Sequence, residues 1–274
     1  MALALTFLPG TLLACLRAGD LHTLLSLSRL RAAWFARFWA RVGPEVRQNA
    51  EKNVVPLLQG RVTRGVVPAS PGAGDEKGAT QPQPHPPVRG TVLEVGPGSG
   101  MWVSIFSPAS LPGVSKVYGV EPNADVHAAL QQRIADAGLA QDGTYEIVPV
   151  GIEDLDKSGR VAVGSVDCIV TIMCLCSIPD PKHNITQLYR YLKPGGRWYV
   201  YEHVRCFHKQ GLAMRLYQSF LNLIWSRIMG GCEMARDTAS YLREAGPWSQ
   251  VDVHPLEGEP WFYTMPHIIG VLTK

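Results

Sequence analysis

The sequence contains no Cys-x-x-Cys pair, no His/Cys set at zinc spacing, and no apolar run long enough to read as a membrane-spanning helix. The first two absences exclude the zinc-finger and dithiol-oxidoreductase classes. No RNP or other nucleic-acid signature is present, so nucleic acid is not an expected partner. The six cysteines, Cys15, Cys168, Cys174, Cys176, Cys206 and Cys232, read as reduced thiols in or near the core of a cytoplasmic protein, with Cys174 and Cys176, two apart in a strand-like run, expected to point the same way. Neither a disulfide framework nor a bound metal is expected. The apolar stretch from Ala2 to Leu16 falls short of the ~20 residues of a helical span. It is broken by Pro9-Gly10 and lacks the basic flank of a secretory signal. Charge is sparse, at 18% of residues against 46% hydrophobic, which is a globular composition. No internal repeat is visible.

The little charge there is lies unevenly. Residues 1–64 hold nine Lys/Arg and three Asp/Glu, although the net charge of the whole chain is only +3. Within them Trp34, Phe35, Phe38 and Trp39 share one helical face among Arg31, Arg37, Arg41 and Arg47. Such a helix suits a membrane interface, and it equally suits a lid laid over a neighbouring domain. Residues 1–64 are therefore read as an N-terminal helical extension, with residues 1–45 as a candidate surface for the cytosolic face of an internal membrane. Residues 65–90, dense in Pro and Gly, read as a solvated linker in which His85 has no assigned role.

From Thr91 the pattern changes. Seven short apolar runs, "TVLEV", "KVYGV", "YEIVPV", "SVDCIVTIMCL", "RWYVYEHV", "SQVDVHPLE" and "HIIGVLTK", alternate with stretches of helical spacing. The helices are expected over 123–138, over 181–196 ending in Pro194-Gly195-Gly196, from about 212 to 229, and over "DTASYLREAG" with Asp237 as cap. Strands alternating with helices predict an α/β domain over 91–274: a seven-stranded, mostly parallel sheet with helices on both faces.

The first strand runs into Glu94-Val95-Gly96-Pro97-Gly98-Ser99-Gly100. A strand, a glycine turn and a helix outline a nucleotide cradle. The dinucleotide spacing G-x-G-x-x-G fails, because Met101 stands where the third glycine is needed. A Walker A loop fails too, since no GK[ST] follows. Glu121 closes the second strand, 21 residues after Gly100. A carboxylate there can accept two hydrogen bonds from a ribose diol.

These residues resemble the first two motifs of the class I S-adenosylmethionine-dependent methyltransferases, a Rossmann-like family. "VGIEDL" (150–155) is similar to their third motif, "GSVDCIVTIMCLCSI" to the fourth, and "LKPGGRWYVYEHV" to the one after it. The resemblance covers about two-thirds of the chain. Within the family the strongest likeness is to the membrane-associated small-thiol methyltransferases of the methyltransferase-like 7 type, through "LCS", "LKPGG…EHV" and a C-terminal "PHI.G". It extends more loosely to quinone C-methyltransferases and fungal small-molecule methyltransferases of secondary metabolism. The long Pro/Gly linker and the proline-broken N-terminus depart from the thiol group.

The resemblance implies S-adenosylmethionine as cofactor. Gly96, Gly98 and Gly100 would let the backbone approach it, with a β-carbon at Gly98 colliding with it. Glu94 would orient the loop or meet the amino group, Glu121 would hold the ribose, and Ile152 and Glu153 would flank the adenine. Thr171 to Cys174 would end the fourth strand beside the transferring methyl, with Cys174 as wall. For the acceptor, a small-molecule thiol, amine or hydroxyl, His203 is the candidate general base, and Glu202 either orients it or turns inward. His267 is a second candidate base. Trp261, Phe262 and Tyr263 could wall the acceptor pocket. The alternative to an enzyme is a non-catalytic, cofactor-binding scaffold acting through the basic-aromatic N-terminus.

Overall fold

The computed structural model describes residues 6–68 and 83–274, the side chain of Ala36 excepted. The first five residues and most of the 65–90 linker (69–82) thus lie outside the described residues. Seven strands form one sheet: β1 Gly90–Val95, β2 Val114–Val120, β3 Tyr145–Val148, β4 Val166–Ile172, β5 Leu192–His203, β6 Gln250–Pro255 and β7 His267–Thr273. Their order across the sheet is β3-β2-β1-β4-β5-β7-β6. β7 alone runs against its neighbours, β5 and β6. This is the expected Rossmann-like arrangement. Strand order reverses between β1 and β4, and in open parallel sheets ligands bind in the crevice at the carboxyl ends on either side of such a reversal.

Each face of the sheet carries its own core, because side chains alternate along every strand. Val92, Val117, Cys168, Tyr199 and Tyr201 face one way, with Phe106, Leu130, Leu57 and Leu58. Leu93, Ile169, Trp198 and Val200 face the other, with Ile185, Leu188 and Leu242. The covering helices are α1 Phe7–Ala18, α2 Leu21–Leu24, α3 Leu27–Leu58, α4 His127–Asp136, α5 Pro181–Tyr191, α6 Gly211–Ile228 and α7 Thr238–Glu244. The 32-residue α3 joins two environments. Its second half packs Val54, Leu57 and Leu58 on the sheet. Its first half buries Trp34 and Phe38 against Cys176, Met229 and Cys232. The aromatic face of the extension therefore covers the α/β domain.

Several local expectations change. The glycine loop is followed by a single 3-10 turn, Val103–Phe106, rather than a full helix. Pro108 and Pro112 lie directly beyond it, and proline stops helix growth. α5 ends at Tyr191, and β5 already begins at Leu192, before the Pro-Gly-Gly. Asp237 sits at the start of α7 without a capping hydrogen bond. Its carboxylate is engaged by Arg205 at 3.0 Å instead. Cys174 and Cys176 lie beyond the end of β4. They do not share a strand face: Cys174 packs on the Leu93 core and Cys176 on the Trp34 cluster.

The described ends of the 65–90 segment are held in place. His85 is buried, and its Nε2 lies 2.7 Å from Asp252 Oδ2. Asp252 also accepts from the Thr63 hydroxyl at 2.8 Å and the Arg64 amide at 2.8 Å. Burial pushes the Asp252 carboxyl up, but the hydrogen bonds from His85, Arg64 and Thr63 hold it below its ordinary value of 3.8. A carboxylate with a depressed folded-state pKa stabilises above its unfolded value, and that contribution is lost as pH falls through the lower folded one. Asp252→Ala is expected to cost about 2–3 kcal/mol at pH 7. In urea titrations the gap to the parent should narrow as pH drops below 3.8. A gap that stays constant through acid would remove the carboxylate from this clasp.

Candidate active site

The crevice at the β1/β4 reversal opens into a cavity of about 1080 Å³. At one end lie Gly96, Gly98, Ser99, Glu121, Ile152 and Glu153. At the other lie Phe35, Phe38 and Trp39 of α3, with Met229, Trp225 and Tyr263. Met173 and Cys174 line the wall as well.

The loop after β1 is built on three left-handed residues, Gly96 at φ 66°, Gly98 at φ 57° and Gly100 at φ 85°. Such φ values are cheap for glycine alone. A β-carbon at Gly96 would come within 2.8 Å of Cys174 Cβ, whereas one at Gly98 would meet nothing within 4 Å. Gly96 is thus demanded by packing. Gly98 leaves its space free beside the cavity, a bare stretch of backbone that a ligand can approach closely. Gly100 does not line the cavity; a β-carbon there would strike Leu130 Cδ1 at 2.8 Å. Its role is to bring the loop down onto α4. Arg133, which the motif gave no reason to notice, pins the loop by donating to Ser99 O and Ser99 Oγ, both at 2.8 Å.

Glu121 is buried at the end of β2 and ties two segments together. Its Oε2 accepts from the Gly98 amide at 2.9 Å, and its Oε1 from the Asn123 amide at 2.9 Å. Each oxygen retains a second lone pair, so the carboxylate can still receive a vicinal diol. Ile152 and Glu153, in a single 3-10 turn, complete that end of the cavity.

Besides Gly100, three expected site residues sit elsewhere. Glu94 points into the core beneath the loop, where Tyr145 donates to its Oε2 at 2.5 Å. Burial pushes its carboxyl up to about 7. Thr171 is fully buried, and its hydroxyl accepts from the Trp198 indole at 3.0 Å. It stands on the Trp198 face of the sheet, opposite to Val170. Glu202 also faces inward. On β5, Trp198, Val200 and Glu202 point to one face, and Tyr199, Tyr201 and His203 to the other. Glu202 therefore cannot join His203 in the cavity. It accepts from the amides of Cys174 at 3.1 Å and Leu175 at 3.2 Å, which fixes the turn after β4. Burial raises it to about 7 as well. Met173, in that turn, holds a left-handed φ of 51°, a strained conformation of the kind that gathers at functional sites.

Cys174 lies on the wall as expected. Burial first, and the neighbouring Glu202 second, raise its thiol well above 9.0, so it is not an ionised nucleophile. His203 lines the cavity, with Nε2 3.2 Å from Cys232 Sγ and Nδ1 without a hydrogen-bond partner. His267 also lines it, stacked on Tyr201 at 4.9 Å between ring centroids. Its Nδ1 is 2.6 Å from Glu259 Oε1, and its amide donates to Glu259 Oε2 at 2.8 Å. A carboxylate on Nδ1 leaves Nε2 as the free acceptor. Glu259, in a loop of irregular sequence, carries no motif and was not foreseen. Tyr263 lines the cavity, while Trp261 and Phe262 are exposed and do not.

A family model described as a methyltransferase domain matches residues 75–246. The thiol S-methyltransferase TMT1B of Rattus norvegicus is 31% identical over 188 residues, covering 67% of this chain and 70% of that protein. The human thiol S-methyltransferase TMT1A is 27% identical over 185 residues, with the same two coverages, 67% and 70%. Among solved structures, an O-methyltransferase family protein from Burkholderia thailandensis superposes with a TM-score of 0.54 at 14% identity, over 91% of this chain and 60% of that one. The [4+2]-cyclase SpnF gives 0.51 at 16%, over 68% and 76%. At these identities the structures speak for the fold alone.

Two substitutions test the cradle. Gly98→Val places a side chain where none stands, and Glu121→Ala removes both the carboxylate that could accept a diol and the loop's tie. By calorimetry each is expected to weaken S-adenosylmethionine binding about 10- to 100-fold, as for loss of one or two hydrogen bonds to a charged group. Unchanged affinity in both would dismiss this end of the cavity as the cofactor site.

Proposed function

Given that this chain belongs to the class I S-adenosylmethionine-dependent methyltransferases, we propose that it methylates the sulfur of a small apolar thiol. The observation that carries the reading is the cavity itself. A polar end shaped for a nucleoside, at Gly98 and Glu121, continues into a chamber walled by Phe35, Phe38, Trp39 and Met229. Support for sulfur comes from the thiol S-methyltransferases it is similar to. A biosynthetic tailoring role would go instead with an amine or phenol acceptor.

S-adenosylmethionine supplies a methyl already activated by the sulfonium. The chain's own work is positioning, exclusion of water and management of one proton. The glycine loop and Glu121 fix the donor end, and Ile152 and Glu153 close around it. Holding both partners in line can contribute roughly 7–11 kcal/mol in favourable cases. α3 roofs the chamber with aromatic rings and keeps solvent from the acceptor. Because a thiolate is the nucleophile, the acceptor's proton must go to a base. His203, the first candidate, already has Nε2 turned to Cys232. His267, oriented by Glu259, is the better-placed proton acceptor.

Two experiments test the proposal. Labelled methyl transfer is measured to an alkyl thiol, a phenol, a peptide amine and a quinol. Transfer to the thiol is expected, with His267→Ala lowering kcat/KM about 100-fold at pH 7. Transfer to the amine or phenol alone would overturn the thiol assignment, and an unimpaired His267 variant would take that residue out of the proton path.

The second concerns where the chain acts. On this reading it works at the cytosolic face of an internal membrane. Leu13, Leu16, Leu21, Leu25 and Leu27 are exposed along α1, α2 and the start of α3, beside Arg17, Arg29 and Arg31. An apolar strip flanked by basic side chains suits an anionic lipid interface. Among the described residues no helix is long and apolar enough to cross a membrane. The full chain should float with anionic liposomes, and deletion of residues 1–45 should abolish flotation. Equal flotation after the deletion would reject this surface.

A further inference from the structure

The acceptor chamber contains a group of side chains that proton transfer does not use. Among the described residues, Cys176, His203 and Cys232 form one cluster whose ligand atoms all lie within 4.8 Å of one another. They come from three separate elements: the turn after β4, the end of β5, and the loop after α6. All three are buried, and all three line the cavity. One ring nitrogen of His203 is 3.2 Å from Cys232 Sγ, and the other has no partner.

Building on the thiol reading above, we propose that Cys176, His203 and Cys232 bind a divalent zinc ion whose fourth position receives the acceptor thiol. The geometry fits. Zinc takes sulfur at about 2.3 Å and imidazole nitrogen at about 2.0–2.1 Å, so a tetrahedral site separates S from N by about 3.6 Å and S from S by about 3.8 Å. The cluster reaches these spacings with shifts of under about 1 Å. The charge fits as well. Two thiolates cancel the cation, so the resting site is neutral; the bound acceptor thiolate adds one negative charge, opposite in sign to the donor's sulfonium, and methyl transfer removes it. An outer partner is present too, since the Trp225 indole donates to Cys232 Sγ at 3.3 Å. Three protein ligands and one open position describe a site that takes a substrate, whereas structural zinc is closed by four.

The cation does for the acceptor what a base alone does less completely. A thiol that coordinates zinc is deprotonated. Its proton passes to His267, whose ring centroid is 6.5 Å from that of His203. The sulfur's lone pair then forms the new S–CH3 bond. The donor's S–CH3 bond breaks with its electron pair retained by the donor sulfur, which becomes a neutral thioether. The methylated acceptor is likewise a neutral thioether, a poor zinc ligand, and it leaves. One proton is released in total, and nothing is oxidised or reduced.

The test uses the full chain and no methyl donor, so it is readable whether or not a thiol is methylated. Cobalt(II) is titrated in place of zinc and followed by its thiolate charge-transfer and tetrahedral d–d absorption. One equivalent per chain is expected, with the d–d bands shifting when 2-mercaptoethanol is added. Cys176→Ala and Cys232→Ala should lose the bands, and Cys15→Ser, away from the cavity, should keep them. Circular dichroism checks that each variant is folded; the parent titration decides alone if one is not. Failure of the parent to bind cobalt overturns the site. Cobalt bound with no response to the thiol overturns its role toward the acceptor.

Discussion

The chain leaves β1 toward one side of the sheet and β4 toward the other, and the crevice between their carboxyl ends is the constraint on which the site depends. Backbone groups there have no neighbouring strand to pair with, so they turn to side chains and to ligand. Glu121 meets this need by taking the amides of Gly98 and Asn123. Glu202 does the same for Cys174 and Leu175 across the crevice. Two carboxylates, each at the end of a strand, thus hold the two turns that shape the cavity.

Their placement explains why acids appear in the core at all. Glu94 and Glu202 are both buried and both raised to about 7 by that burial. A group whose charged form is so disfavoured costs stability in exchange for geometry. Tyr145 beneath Glu94, and the loop amides around Glu202, repay part of that cost as hydrogen bonds. The resulting rigidity matters for methyl transfer, where the reacting atoms must be held in line and no covalent intermediate relaxes the demand.

α3 gives the cavity its second character. One continuous helix packs its C-terminal half on the sheet and its N-terminal half over the apolar end of the cavity. The same rings that exclude water from the chamber are therefore anchored by the domain core. Apolar residues left on the outer side of α1 and α2 remain exposed, so the extension presents aromatic rings inward and leucines outward.

The sequence by itself determined the class of fold, the glycine loop and the acid that closes the next strand. These features are local: the period of apolar residues, three glycines at alternate positions and a carboxylate one strand later are all readable within some thirty residues of each other. Side-chain direction was not. Glu202 stands between two cavity residues in sequence, Tyr201 and His203, and the pleat of β5 turns it into the core; Thr171 is buried on β4 between Val170 and Ile172. Glu259 reached His267 from an irregular loop with no motif to mark it. Above all, no spacing in the chain marked Cys176, His203 and Cys232 as neighbours. They meet because β4, β5 and the end of α6 converge under α3, and convergence of distant segments is a property of packing, which only the tertiary structure decides.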